Sequence, residues 1–250
     1  MGMEHRVIDD INVISPSSPS GWVRESRFGR WFLGTDIWRK YVLAEAVETL
    51  ARLVRGRVGI GGCVLDIGCG QGTAAPLLDV HFKPSRIIGL DIDAELIENG
   101  LELALGWDLS ADLTLTHGCA TEIPFEDATV DMVFCHQLLH HMIAQRQALA
   151  EMHRVLRPGG LLLVAESCRI FIQSSLVRAL FVHPEQTQHS ANGYIDIVRE
   201  AGFGLLDADI VTESPWWSLP DLGLRRRIIP GMFRLEAEPT EVLMVAERLP

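Results

Sequence analysis

Four side chains able to take or give a proton fall near two predicted strand ends: His136, His140 and His141 in "FCHQLLHHM", and Glu166 in "LLLVAES". Imidazole titrates near neutral pH and is the commonest general base. His136 and His140 are four residues apart, a spacing that on one helix would put both on the same face, within reach of one metal ion. No third ligand is evident in the sequence, so no metal is expected, and packing or orienting roles are expected for most of these histidines. His140 and His141 are the candidate base or substrate-positioning residues, because they follow directly on a strand.

A second group of residues could bind rather than react. The stretch "CVLDIGCGQGT", Cys63 to Thr73, carries Gly68, Gly70 and Gly72 immediately behind an apolar run. Glycine inside regular structure costs about 0.5–1 kcal/mol relative to alanine. Either this is a plain tight turn, or a ligand must approach the backbone here. Asp66 stands just ahead of the first glycine, and Asp91 closes the later run "IIGLDID".

The elements that would position these residues alternate. "CVLDIG", "RIIGLDID", "DLTLTHG", "VDMVFC" and "GLLLVAES" are short runs rich in β-branched and aliphatic residues, which predict five strands. Between them "TAAPLLDVHF", "AELIENGLELALG" and "AQRQALAEMHRVL" read as helices, the second with Leu96, Ile97, Leu101 and Leu105 on one side. Pro158 and the Gly159–Gly160 pair end the third. "NGYIDIVREAGF" predicts a further helix, and "LLDADIVTE" and "TEVLMVAERL" two final strands with no helix between them, which permits antiparallel pairing. Strands separated by helices imply an α/β fold with a doubly wound, mostly parallel sheet. Seven strands are expected, the last antiparallel. Upstream, Val42, Ala46, Leu50, Leu53 and Val54 recur at helical spacing, behind a segment crowded with Trp22, Phe28, Trp31, Phe32, Trp38 and Tyr41. The expected organisation is a lead-in over 1–20, a helical cap over 21–58 and a sheet domain over 59–250, with a lid-like insert at about 212–239.

In such a sheet the ligand lies beyond the carboxyl ends of the strands, where strand order reverses. The glycine loop sits at the end of the first strand, before a helix. It does not follow the G-x-G-x-x-G dinucleotide frame, because position 73 is Thr. It has no Gly-Lys-Ser/Thr, so it is not a P-loop. Asp66 would repel a diphosphate but suits a positive amino group. A carboxylate at Asp91, one strand over, can accept from ribose hydroxyls. A nucleoside with an amino-acid end and no phosphates meets these requirements, and S-adenosylmethionine is one.

"VLDIGCGQG", "GLDID", "GCATEIPFEDATVDMVFCHQLLHHM" and "EMHRVLRPGGLLLVAE", in this order and spacing, resemble the class I S-adenosylmethionine-dependent methyltransferases. The likeness is to the small-molecule branch typified by the ubiquinone and menaquinone biosynthesis enzymes (methyltransferase type 11), and spans about residues 60–170. It implies a Rossmann-like fold and methyl transfer to a small molecule. It implies that Asp66, Gly68, Cys69 and Gly70 hold the methionine end, that Asp91 binds the ribose, and that Ile92 flanks the adenine. Cys119, Ala120 and Thr121 would edge the adenine, and the strand end from Cys135 to Gln137 would line the methyl-donor pocket. Relatives usually read Gly-Asp-Ala-Glu where this chain has Gly118-Cys119-Ala120-Thr121; a cysteine is only a weak acceptor for the adenine amine. A binding module of the same fold without catalysis is the competing expectation, and a dehydrogenase is disfavoured by the loop frame.

Composition narrows the partners. The 250 residues carry a formal net charge of −11 and are 48% hydrophobic. Nucleic acid is disfavoured, because phosphates call for a basic face. Five cysteines at scattered positions, none in CxxC spacing, read as reduced thiols. No signal-peptide pattern and no membrane-span run is seen, so a cytoplasmic location is expected. Trp216, Trp217 and the apolar "CRIFIQSSLVRALFVHPEQ" suggest lid surfaces for a flat or apolar acceptor. Arg225 to Arg227 reads as a solvated face. The acceptor atom and the oligomeric state stay open at this level.

Overall fold

The structure, a computed structural model, describes residues 26–54, 57, 61–218 and 238–250. The expected lead-in, Trp22, Arg225 to Arg227 and most of the expected insert lie outside the described residues.

The described residues open with α1 (Arg27–Leu33), capped by Ser26, whose hydroxyl accepts from the Gly29 amide at 2.8 Å. A helical run follows: α2 (Asp36–Trp38), a π-helical turn Arg39–Leu43, and α3 (Ala44–Val54). Ala46, Val47, Leu50 and Val54 of α3 are buried against the sheet, as helical periodicity requires. Then come β1 (Cys63–Ile67), α4 (Ala75–Phe82), β2 (Arg86–Asp91), α5 (Ala94–Ala104), β3 (Asp112–His117) and β4 (Val130–His136). After a 3-10 turn, Leu139–His141, the chain continues through α6 (Gln145–Val155), β5 (Leu156–Ser167), α7 (Arg169–Ile172), α8 (Ser175–Leu180), α9 (Ala191–Glu200), β6 (Phe203–Gly204), β7 (Ile210–Glu213) and β8 (Glu241–Arg248).

The strand order is β3-β2-β1-β4-β5-β8-β6, with β7 also on β8. The first five strands run parallel and β8 is antiparallel to β5. The described residues form eight strands rather than seven. The additional one is β6, two residues paired with Arg248 and Glu247, which with β7 covers the outer side of β8. The two late strands expected to pair with each other do so, β7 on β8.

Side chains alternate across the strands. Leu65, Ile67, Val133 and Cys135 pack on one face with Leu149, Met152, Tyr194 and Val198 of α6 and α9. Val64, Met132, Phe134 and Leu163 pack on the other with Leu50 and Leu78 of α3 and α4. Each fully buried aliphatic side chain contributes roughly 1.5–3 kcal/mol.

Helix α5 departs from its expected stripe. Leu101 and Leu105 are exposed, and the buried positions are Ile97 and Gly100. A Cβ on Gly100 would lie 2.6 Å from the Gln71 carbonyl oxygen, so the helix seats its backbone directly on the glycine loop. That close approach selects glycine and tilts the leucines outward. Among the described residues no helix is long and apolar enough to cross a membrane.

Candidate active site

The chain reverses its direction of travel across the sheet between β1 and β4, which are neighbours. The crevice above their carboxyl ends is where ligands bind in open α/β sheets. The loop after β1 holds Gly68, Gly70 and Gly72 at φ of 71°, 55° and 71°, the left-handed region that glycine enters without steric penalty. Its amides at Gly68 and Cys69 donate to the Leu90 carbonyl at 2.8 and 3.2 Å, tying the loop to β2. Asp91 completes the tie: Oδ2 accepts from Gly70 N and Oδ1 from Asp93 N, both at 2.8 Å. Burial raises the Asp91 carboxyl above its ordinary value, and those two amides oppose the rise.

Asp66, two residues before Gly68, is buried, and its carboxyl accepts no hydrogen bond from the described residues. Burial first, and the Asp91 charge second, push it up to about 8. Such a group calls for a cation beside it. At the end of β4, His136 Nε2 and Gln137 Nε2 are buried without a partner among the described residues. Gln137 takes a left-handed φ of 54°, its amide donating to Ala165 O at 2.8 Å and its Oε1 accepting from Ser167 N at 3.1 Å.

The next turn is organised by Glu166. One of its oxygens accepts from the Leu138 and Leu139 amides at 2.8 and 2.6 Å; the other meets His140 Nδ1 at 2.6 Å. Thr187 donates its hydroxyl to the His140 carbonyl at 2.6 Å. The 3-10 turn brings the His140 and His141 rings to 4.3 Å, and His183, from the segment after α8, joins them at 4.9 and 4.7 Å.

These residues line one cavity of about 510 Å³. Its floor is Asp66, Gly68, Cys69, Gly70 and Asp91; Gln137, His140 and His141 form one wall. The roof has two halves: the cap, with Phe28, Phe32, Trp38 and Tyr41, and a half built from two later segments, with Phe171 and Phe181 from one and Trp216 from the other. Phe181 meets Phe28 and Phe32 edge-on at 5.6 and 5.8 Å, and Ser26 donates its hydroxyl to Leu180 O at 2.7 Å.

Other expected site residues fall elsewhere. Cys135 does not line the cavity: it is wholly buried in the opposite core with Leu65 and Val133, because alternation along β4 gives the cavity face to Phe134 and His136. Ile92, Cys119, Ala120 and Thr121 are brought near Asp91, since the Gly118 amide donates to Asp91 O at 2.9 Å, but none lines the cavity. Cys119 and Thr121 are buried and hydrogen-bonded to each other, Sγ to Oγ1 at 3.0 Å. His136 and His140 do not share a helix; one ends β4 and the other lies in the 3-10 turn. A third imidazole is present after all, for the His140–His141 pair: His183. The sequence signal for it was faint, one histidine before Pro184 in an apolar stretch, and its neighbours only become evident once the segment after α8 is brought against the 3-10 turn.

A glycine loop at the first strand end, an acidic residue at the second and a cavity between them make up a ligand crevice at the switch point of an open α/β sheet. Residues 65–164 match the family model described as "Methyltransferase domain". The "Probable S-adenosylmethionine-dependent methyltransferase" of Mycolicibacterium smegmatis is 34% identical over 148 residues, 59% of this chain and 54% of that protein. The 27-O-demethylrifamycin SV methyltransferase of Amycolatopsis mediterranei is 27% identical over 189 residues, 70% and 68% of the two chains. The chain thus spans 54% and 68% of the length of these two relatives. Geranyl diphosphate methyltransferase in complex with S-adenosylmethionine superposes with a TM-score of 0.63 at 21% identity, covering 92% of this chain and 97% of that one, a likeness of fold. Over residues 65–164 the chain is thus similar to the methyltransferase domain, and the relatives it resembles in sequence include S-adenosylmethionine-dependent methyltransferases.

Proposed function

We propose that this chain transfers a methyl group from S-adenosylmethionine to a small, apolar or aromatic acceptor held under the cap. The observation that carries the reading is the single cavity in which Asp66, the glycine loop and Asp91 face the histidine wall and the aromatic roof. When bound, the cofactor supplies an electrophilic methyl group on a sulfonium.

The residues present suit it. The Asp66 carboxyl offers a buried anion for an ammonium group, the loop backbone at Gly68 to Gly70 leaves room for close approach, and Asp91 retains lone pairs for hydroxyl donors. The orphaned Gln137 Nε2 is a donor aimed at nothing else. In-line methyl transfer depends chiefly on alignment, and orientation can supply about 7–11 kcal/mol of a barrier. The roof rings exclude water and present flat apolar faces to the acceptor. His140, oriented by Glu166, and His141 beside it are placed to receive or direct a proton from an acceptor that starts protonated. The net charge of −11 argues against a nucleic-acid acceptor.

The test is a screen of phenols, quinols, amines and thiols with S-adenosylmethionine, read as demethylated cofactor, alongside calorimetry with the cofactor alone. Turnover with any acceptor supports the proposal. Cofactor binding with no turnover across the screen would favour a non-catalytic binding module, and no binding at millimolar cofactor would remove both readings.

A further inference from the structure

Three imidazoles share one corner of the cavity. His140, His141 and His183 each place a nitrogen within 4.8 Å of the other two. Two come from the 3-10 turn after β4 and one from beyond α8, so the corner exists only in the folded chain. An apolar wall would use Phe or Leu here. Three polar rings packed on one another, in a cavity whose roof is otherwise aromatic carbon, need another reason.

Glu166 supplies a second observation. Its carboxylate is fully buried, and its Oε2 sits 2.6 Å from His140 Nδ1. A hydrogen on Nδ1 donated to that carboxylate fixes the ring orientation and, in a neutral imidazole, leaves the lone pair on Nε2. A carboxylate behind an imidazole is the arrangement that orients metal-ligating histidines.

We infer that His140, His141 and His183 bind one divalent transition-metal ion of the zinc class, with Glu166 as the positioning residue for His140. Imidazole nitrogen favours Zn, Cu, Fe and Ni over Mg or Ca. Metal–nitrogen distances of about 2.0–2.1 Å require the three nitrogens to draw together by small side-chain rotations. Three nitrogens leave a fourth position open, and since all three residues line the cavity, that position faces its contents. The ligand that suits it is a hydroxyl or thiol. On coordination the O–H or S–H proton leaves to solvent and the metal holds the anion. This half of the inference rests on the methyl-transfer reading: the anion's lone pair forms the new bond to the methyl carbon while the carbon–sulfur bond breaks with its pair on sulfur.

The test uses the full chain, free of affinity tags and stripped with chelator, titrated with Co(II). The expected result is a visible ligand-field absorption saturating at one ion per chain and displaced by Zn(II). His183→Ala and His141→Ala should each abolish saturation, and Glu166→Gln should weaken the metal by about 10–100-fold. His183→Gln, at a position outside the sheet, serves if an alanine variant fails to fold, with circular dichroism as the check. 2-Mercaptoethanol should add a thiolate-to-metal band, and its absence would overturn the open position. No absorption at millimolar Co(II), or an absorption untouched by His183→Ala and His183→Gln, overturns the site. Calorimetry with S-adenosylmethionine on the same metal-free protein separates the two proposals, since cofactor binding without a cobalt spectrum sinks only the metal, and the reverse sinks only the methyl transfer.

Discussion

Asp91, at the end of β2, holds the amide of Gly70 in the loop after β1 with a 2.8 Å hydrogen bond. The same carboxylate holds Asp93 N, so one side chain fixes both the loop and the start of α5. Asp91→Ala leaves two amides without this acceptor. Each loss costs about 1–3 kcal/mol where the group stays buried. The variant should melt lower and bind S-adenosylmethionine at least about tenfold more weakly, a loss of roughly 1.4 kcal/mol. Asp91→Asn keeps one acceptor oxygen and should lose less. Calorimetry and thermal melts decide; native cofactor affinity in Asp91→Ala would remove this residue from the site.

On the proposed reading, Asp66 should give cofactor binding a pH dependence. Its carboxyl, pushed up to about 8 by burial and then by Asp91, is protonated at neutral pH in the free chain. A cationic ligand favours the carboxylate, so binding expels that proton. Affinity should therefore rise between about pH 6 and pH 8, by up to about tenfold per unit, and level off above. Asp66→Asn should bind weakly with a flat profile over that range. A native profile that is flat would show that Asp66 does not meet the cation.

Stability should peak near pH 6.5 in metal-free protein. Asp66 and Glu241 are both pushed up to about 8, Glu241 by burial and then by Glu213, Glu45 and Glu166. Between their ordinary values and about 8 the folded chain holds protons that the unfolded chain has lost, so stability falls as pH rises through that window. His136 is pushed down to about 3 by burial and then by His140, and His153 and His189 are lowered chiefly by burial. Below about pH 6.5 the unfolded chain gains protons that these rings refuse, so stability falls as pH drops. Melting temperatures across pH 4–9 check this; a steady climb from pH 6 to pH 9 would contradict it.

Gly68→Ala should damage both the fold and the site. Gly68 sits at φ 71°, and a Cβ there would lie 2.7 Å from Leu138 Cδ1. The left-handed backbone costs about 1–2 kcal/mol and the overpacking about 1–3 kcal/mol. Gly106→Ala, where a Cβ would meet only Leu103 O at 3.6 Å, is the comparison and should stay close to native. Urea unfolding of both proteins measures the difference, and equal midpoints would refute the strain.

The floor of the site was legible in the sequence because its signals are local. Three left-handed positions in one loop demand glycines, and Asp66 sits one residue before the end of β1 while Asp91 closes β2, strands that apolar runs delimit. Cys135 was misplaced because β4 is apolar on both faces, so its composition does not say which side meets the cavity; only the packing of Phe134 and His136 settles that. The α5 stripe failed for a similar reason, since the helix leans on Gly100 rather than on its leucines. His183 was out of reach because its partners lie more than forty positions away along the chain, and no periodicity encodes that the segment after α8 meets the 3-10 turn.

The roof has a consequence of its own. Among the described residues the contacts between its two halves, the cap and the remainder, include a hydroxyl-to-carbonyl bond from Ser26 to Leu180, the ring edges around Phe181 and the edge-on pair Tyr41–Trp216 at 5.4 Å. Each ring pair is worth about 0.5–1.5 kcal/mol, far below the cohesion of the sheet beneath. The halves can part like shutters while every strand stays paired. Traffic into and out of the chamber is thereby separated from the integrity of the scaffold, and the pace of exchange can be tuned at Phe181 without touching the floor.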